Sequence, residues 1–111
     1  MNLGATWELG MNAPWFPRLG LASVSIGTTI YILGGYQWSS DSYFNDIWKS
    51  TNLGEGWSSV GTGSWSARYS HECVAVGSSI ILMGGYSSSG GFLNKNLNTF
   101  FFSDYFFLNI R

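Results

Sequence analysis

The sequence predicts an all-β fold built from repeated units of short antiparallel strands, and three observations support this prediction. The 111-residue chain matches itself without gaps at an offset of 50 residues, as from Asn2 to Asn52, which is typical of repeat architectures. Within a unit, short alternating or continuous apolar runs are separated by turns rich in glycine, serine and asparagine. No window shows the apolar spacing of a sustained helix.

The self-match pairs residues 2–36 with residues 52–86. Many of the identical positions are Gly, Trp, Arg or Tyr, and each of these recurs 50 residues later in the second copy. After Tyr86 the match needs a one-residue gap, and it fades beyond Leu97. The identical positions in the first copy are Asn2, Leu3, Gly4, Trp7, Trp15, Arg18, Val24, Gly27, Ile30, Gly34, Gly35 and Tyr36.

The first complete unit predicts a four-stranded antiparallel meander. Its second strand is a continuous apolar run and is expected to be buried on both faces, and its turns carry Gly, Asn and Ser. The expected order is a strand at 21–26, a turn at 27–29, a strand at 30–33, Gly34-Gly35, a Ser-rich loop at 36–43, a strand at 45–50, a turn at 52–56 and a strand at 57–60.

The second copy repeats this order but is incomplete. It predicts strands at 71–76 and 79–83, a loop at 87–91 and a third strand near 94–98, while Thr6–Leu9 reads as the fourth strand of a preceding unit. The expected organisation is therefore a last strand and linker at 1–16, a complete unit at 17–66, a partial unit at 67–97 and an atypical aromatic tail at 98–111.

Composition excludes several classes of protein. With 45% hydrophobic and 10% charged residues, the chain is too apolar to be disordered throughout. A net charge of −1 gives little support for nucleic-acid binding. The sequence shows no signal peptide and no apolar run long enough for a membrane span, so no membrane association is expected and the compartment stays open.

The repeat resembles the kelch repeat of β-propellers. The resemblance rests on Pro17-Arg18, on the strand ending in Gly34-Gly35, and on Arg68 with Gly84-Gly85 in the second copy. Trp57 occupies the family's Trp position, and Trp7 does so in the partial unit. One departure is Ser50, where the family usually has Tyr. The resemblance implies four-stranded propeller blades, of which this chain holds fewer than two complete ones, as a fragment or an open blade pair.

The segment from Ser50 to Trp57 resembles the Asp-box turn of sialidase-type propellers, with Asn52 where Asp is usual. Asn2 to Trp7 repeats the pattern. In that motif the Asx side chain satisfies backbone donors of a tight turn, and the Trp packs between blades. The resemblance therefore implies a structural role and gives no catalytic residue.

No catalytic constellation, metal site or cofactor is expected. Arg18 and Arg68 could bind a carboxylate, as in a sialidase, but the kelch resemblance favours pairing with an acidic group or a backbone carbonyl. His71 and Cys73 lie on one face of a strand without a second His or a suitably spaced acid, so they read as ordinary strand residues. The copper oxidase branch of kelch-type propellers needs two His ligands, whereas this chain has one His.

The loop after Gly34-Gly35 is the best candidate for a binding surface. It carries Tyr36, Trp38 and Tyr43, residue types that are enriched at binding hot spots, although these rings could instead pack the loop onto the sheet. The sequence thus predicts a non-catalytic kelch-type module that binds a protein or a carbohydrate, with self-assembly into a ring as a further possibility. The alternative is a piece of a sialidase-like or epimerase-like enzyme whose catalytic residues lie in other blades.

Overall fold

The computed structural model, which describes residues 4–93 and 98–100, has an all-β architecture and confirms the predicted fold class. The first sheet is a four-stranded antiparallel meander in the order β1-β2-β3-β4. Between β2 and β3 lies one 3-10 turn, Trp38–Ser40. The strands are β1 (Ala22–Ile26), β2 (Thr29–Gln37), β3 (Ser42–Ser50) and β4 (Ser58–Thr62).

Two smaller sheets follow. Strands β5 (Arg68–Tyr69), β8 (Tyr86–Ser87) and β9 (Gly91–Phe92) form one, and β6 (Glu72–Val76), β7 (Ser79–Met83) and β10 (Asn98–Phe100) form the other, in the order β10-β7-β6. The third strand of this second blade was expected near 94–98, and β10 begins only at Asn98. Residues 94–97 and most of the predicted aromatic tail, 101–111, lie outside the described residues.

The hydrophobic core lies between the first sheet and the β6-β7 sheet. Leu33 pairs with Ile47 across β2 and β3, so both side chains lie on the same face of the first sheet. Ile80 and Leu82 of β7 are fully buried against them, and Trp65 from the linker completes the cluster. The two repeat units therefore pack face to face, as successive blades do.

Gly34 allows the second unit to approach the first closely, and Gly35 allows β2 to approach the segment at Arg18 and Leu19 within the first unit. Gly34 has a φ of +66°, and a Cβ at this position would lie 2.7 Å from Cε1 of His71 and 3.0 Å from the carbonyl oxygen of Arg68. Gly35, with a φ of +117°, would bring a Cβ within 3.1 Å of the Leu19 carbonyl oxygen. Both positions thus combine a left-handed backbone with a contact that leaves no room for a side chain.

Two expectations are corrected by the strand boundaries. The loop expected at 36–43 is shorter, because Tyr36 and Tyr43 pair with each other across β2 and β3 and only residues 38–41 connect the strands. Thr6–Leu9 has no strand assignment, and Trp7 is 89% exposed. An outer strand needs a neighbouring strand of its own blade, and nothing in the described residues pairs with this segment.

Candidate aromatic binding face

The three residues expected to bind a partner have different surroundings. Tyr36 is buried near the end of β2, Tyr43 is half-buried at the start of β3, and Trp38 lies in the 3-10 turn with 78% of its surface exposed. They are nevertheless in contact: the Tyr36 ring lies 4.8 Å from that of Tyr43 and 6.1 Å from that of Trp38. Of the three, only Trp38 is on the loop proper.

Three residues outside the predicted loop extend this group. The Tyr69 ring lies 5.1 Å from Tyr36 and 5.7 Å from Tyr86, whose own ring lies 5.0 Å from Phe92. The result is one continuous array across both repeat units, which we call the aromatic face. Its members are Tyr36, Trp38, Tyr43, Tyr69, Tyr86 and Phe92.

A repeat-based signal could have found part of this extension. Tyr86 is the repeat equivalent of Tyr36, and it pairs with Phe92 across β8 and β9 as Tyr36 pairs with Tyr43. Tyr69 pairs with Tyr86, as Leu19 pairs with Tyr36 in the first unit. The contact between Tyr69 and Tyr36, by contrast, depends on how the two units are placed, which a pattern along the chain does not encode.

Two hydroxyls of the aromatic face, those of Tyr36 and Tyr43, have raised pKa values. The Tyr36 hydroxyl donates a hydrogen bond to Oδ1 of Asp41 at 2.6 Å. That hydrogen bond, followed by burial and the negative charge of Asp41, raises the pKa of Tyr36 to about 12. Burial also raises the pKa of Tyr43. Both hydroxyls are therefore poor nucleophiles at neutral pH. The Tyr43 hydroxyl can donate a hydrogen bond to a partner, whereas the Tyr36 hydroxyl already donates to Asp41 and can only accept one.

Two open grooves flank the face at repeat-related places. A groove of about 390 Å³ is lined by Pro17, Arg18, Leu19, Tyr36, Gln37, Trp38 and Ser39. A second groove of about 260 Å³ is lined by Tyr69, Ser70, Gly85, Tyr86, Phe92 and Leu93. Each groove is thus lined by the tyrosine that directly follows the glycine pair of its unit, Tyr36 or Tyr86. Each groove is large enough for one or two side chains of a partner.

The two repeated arginines are held by the protein itself. Nε of Arg18 donates to the Phe16 carbonyl and Nη1 donates to the Gly34 carbonyl, and Arg68 makes the equivalent bonds to Ser66 and Gly84. Arg18 also forms a bidentate ion pair with Asp46. Arg68, with 1% of its surface exposed, instead reaches Oγ of Ser66 at 2.9 Å. These bonds match the pairing that the kelch resemblance favours and leave little donor capacity for a ligand carboxylate.

His71 and Cys73 are packed between the two units. Nε2 of His71 donates to the Leu33 carbonyl at 2.9 Å, so the described contacts fix the neutral tautomer with its proton on Nε2. Burial, helped by the charge of Arg68, lowers the pKa of His71 to about 4 despite this hydrogen bond. Burial raises the pKa of Cys73 to about 12, so its thiol is protonated at neutral pH and unreactive.

The turn around Asn52 has the hydrogen bonds expected of an Asx-stabilised turn. Oδ1 of Asn52 accepts from the Gly56 backbone N–H at 2.9 Å, and Oγ of Ser50 accepts from the Gly54 N–H at 2.8 Å. Trp57 is half-buried, and its ring meets that of Trp15 edge-on at 4.9 Å. The segment therefore acts as a structural turn, with Trp57 packed against Trp15.

Comparison with known proteins identifies the first unit. Residues 17–49, which include β1, β2 and nearly all of β3, match the family model of the Kelch motif. This confirms the kelch resemblance for the first blade, and the all-β structure of the second unit is consistent with it. No curated protein matches the chain. Within the described residues, no helix has the length and apolar character needed to cross a membrane.

Proposed function

We propose that the chain is a non-catalytic kelch-type interaction module that binds a protein partner through the aromatic face. The Kelch motif at residues 17–49 supports the general class, because kelch repeats serve mainly in protein–protein interactions. The observation that carries the proposal is the continuous ring array from Trp38 to Phe92, which crosses both units and borders two grooves. Tyr and Trp provide large rigid contact areas and hydrogen-bond donors, which suits a binding hot spot.

Trp38 is the residue to test first. It is 78% exposed, so its contribution to folding is small, and it stands at the rim of the larger groove. The free energy of unfolding of Trp38→Ala should lie within about 0.5 kcal/mol of the wild-type value. If Trp38 is a binding hot spot, the affinity of the variant for the partner should fall at least tenfold. Trp7→Ala is the matched control, because Trp7 is also largely exposed, at 89%, and does not belong to the aromatic face.

The experiment compares the proteins captured from an extract of the source organism by immobilised wild type, Trp38→Ala and Trp7→Ala chains. Quantitative mass spectrometry should show one or more proteins that the wild type and Trp7→Ala retain and Trp38→Ala loses. Equal capture by Trp38→Ala and the wild type would contradict the proposal, as would equal loss with both variants. Circular dichroism of each variant verifies that the fold is unchanged.

A further inference from the structure

The packing between the two repeat units provides a template for a second interface. Successive residues of a strand point to opposite faces of the sheet, and we call the two faces A and B. Face A of the first sheet carries Val24, Ile26 and Leu33, and it is covered by face B of the second, which carries Ile80 and Leu82. The internal interface is therefore directional: face A of one unit meets face B of the next.

The repeat equivalents of these residues lie on two faces that the other unit does not cover in the described structure. Val74 and Val76, which correspond to Val24 and Ile26, are 42% and 60% exposed, whereas Val24 and Ile26 pack against the core. Residue type is nearly unchanged between these positions. The difference in exposure thus shows that, among the residues the structure describes, no sheet packs on face A of the second unit.

Face B of the first sheet shows the complementary difference. Ile80 of the second unit is fully buried, whereas its equivalent Ile30 is only half-buried. Trp65 is 3% exposed within the core cluster, whereas its equivalent Trp15 is half-buried against Trp48 and Trp57. Both faces carry apolar side chains beside polar ones, because Glu72 lies on face A of the second sheet and Ser23 and Ser25 lie on face B of the first. On face B of the first sheet, Ile32 is already buried.

We propose that these two faces bind each other in separate copies of this chain, so that face A of the second sheet in one copy packs on face B of the first sheet in the next. The argument is continuity with the internal interface, because the same repeat positions supply both contacts. A head-to-tail interface of this kind closes into a ring when the rotation per copy allows it. Propellers have about four to eight blades, so a ring would need roughly two to four copies if each copy supplies one complete and one partial blade.

The test is the solution mass of the full chain by light scattering over a concentration series. Val76→Asp places a charge in face A, and Ser23→Asp places one in face B at the repeat equivalent of Cys73, which packs against the core. Both positions are exposed in the single chain, so the fold is unaffected. The control, Leu53→Asp, adds the same charge at an exposed apolar position in the turn between β3 and β4.

We expect the wild type and Leu53→Asp to form one discrete oligomer, and each face variant alone to be a monomer. Mixing Val76→Asp with Ser23→Asp restores one intact interface, so a head-to-tail contact gives a dimer with one chain of each kind. A wild type that is monomeric at every concentration overturns the proposal, as does an oligomer or aggregate whose mass Val76→Asp leaves unchanged. A mixture that gives no mixed dimer overturns the head-to-tail geometry. None of these measurements needs the partner of the aromatic face, so the outcome is independent of the proposed function.

Discussion

Replacing Gly34 by alanine tests whether the close approach of the two units at Gly34 contributes to stability. An alanine at a φ of +66° costs about 1–2 kcal/mol because its Cβ crowds its own backbone. The new Cβ would also lie 2.7 Å from the His71 ring and 3.0 Å from a backbone oxygen of Arg68, and overpacking of this kind costs about 1–3 kcal/mol. Gly34→Ala should therefore lower the free energy of unfolding by about 2–5 kcal/mol.

Gly27→Ala is the matched control for this prediction. Gly27 has a φ of +58° and no atom within 4 Å of a Cβ built there, so the variant should show the backbone cost alone. Urea denaturation followed by tryptophan fluorescence measures both variants against the wild type. We expect Gly34→Ala to be less stable than Gly27→Ala by about 1–3 kcal/mol, and equal destabilisation would refute the reasoning.

Combining Gly34→Ala with His71→Ala separates the contact from the backbone strain. If the alanine Cβ collides with the imidazole, removing the ring relieves part of the cost, and the two substitutions should couple by about 0.5–3 kcal/mol. The absence of coupling would assign the whole effect to the backbone and to the Arg68 carbonyl.

Three further predictions concern the core and its charged groups. His71 has a pKa of about 4 in the folded chain against 6.5 in the unfolded one, so the unfolded state binds the proton first on acidification. The contribution of neutral His71 to stability should be fully present above pH 6.5, and the free energy of unfolding should fall by up to about 3 kcal/mol as the pH drops towards 4. Denaturation midpoints at several pH values measure this change. His71→Leu should remove the pH dependence between pH 4 and 6.5. Asp46→Asn leaves the buried Arg18 guanidinium without a counter-charge and should lower the free energy of unfolding by about 1–3 kcal/mol. An unchanged urea midpoint would show that this ion pair does not stabilise the fold. Trp65→Ala should cost about 3–5 kcal/mol and half-buried Trp57→Ala clearly less, an order that calorimetry can check.

The sequence predicted the first sheet well because its information is local. Each of its main features is determined by a few neighbouring residues, as at the Gly27 turn, the apolar run from Ile30 to Leu33 and the Asn52 turn. Strand boundaries were less accurate between Tyr36 and Tyr43. Polar residues there suggested a loop, but the cross-strand pairing of the two tyrosines extends the strands, and such pairing depends on the partner strand as much as on the local sequence.

The aromatic face was only partly predictable for a different reason. Tyr36, Trp38 and Tyr43 stand out as a cluster along the chain, whereas Tyr69 joins them only because the second unit packs against the first. Likewise, the contrast between buried Trp65 and half-buried Trp15 has no trace in residue type, since both are the same residue at the same repeat position. Their difference depends on which neighbours are present.

The hydrogen bonds of Arg18, Arg68 and His71 also bear on the order of folding. Each arginine reaches a carbonyl 16 residues along the chain, within its own unit, whereas the bond from His71 to Leu33 spans 38 residues and joins the two units. Closing the longer loop costs more entropy, so we expect each sheet to form before the two dock. Substitutions at the docking contact should then speed unfolding and leave the folding rate nearly unchanged, while substitutions of either arginine should slow folding.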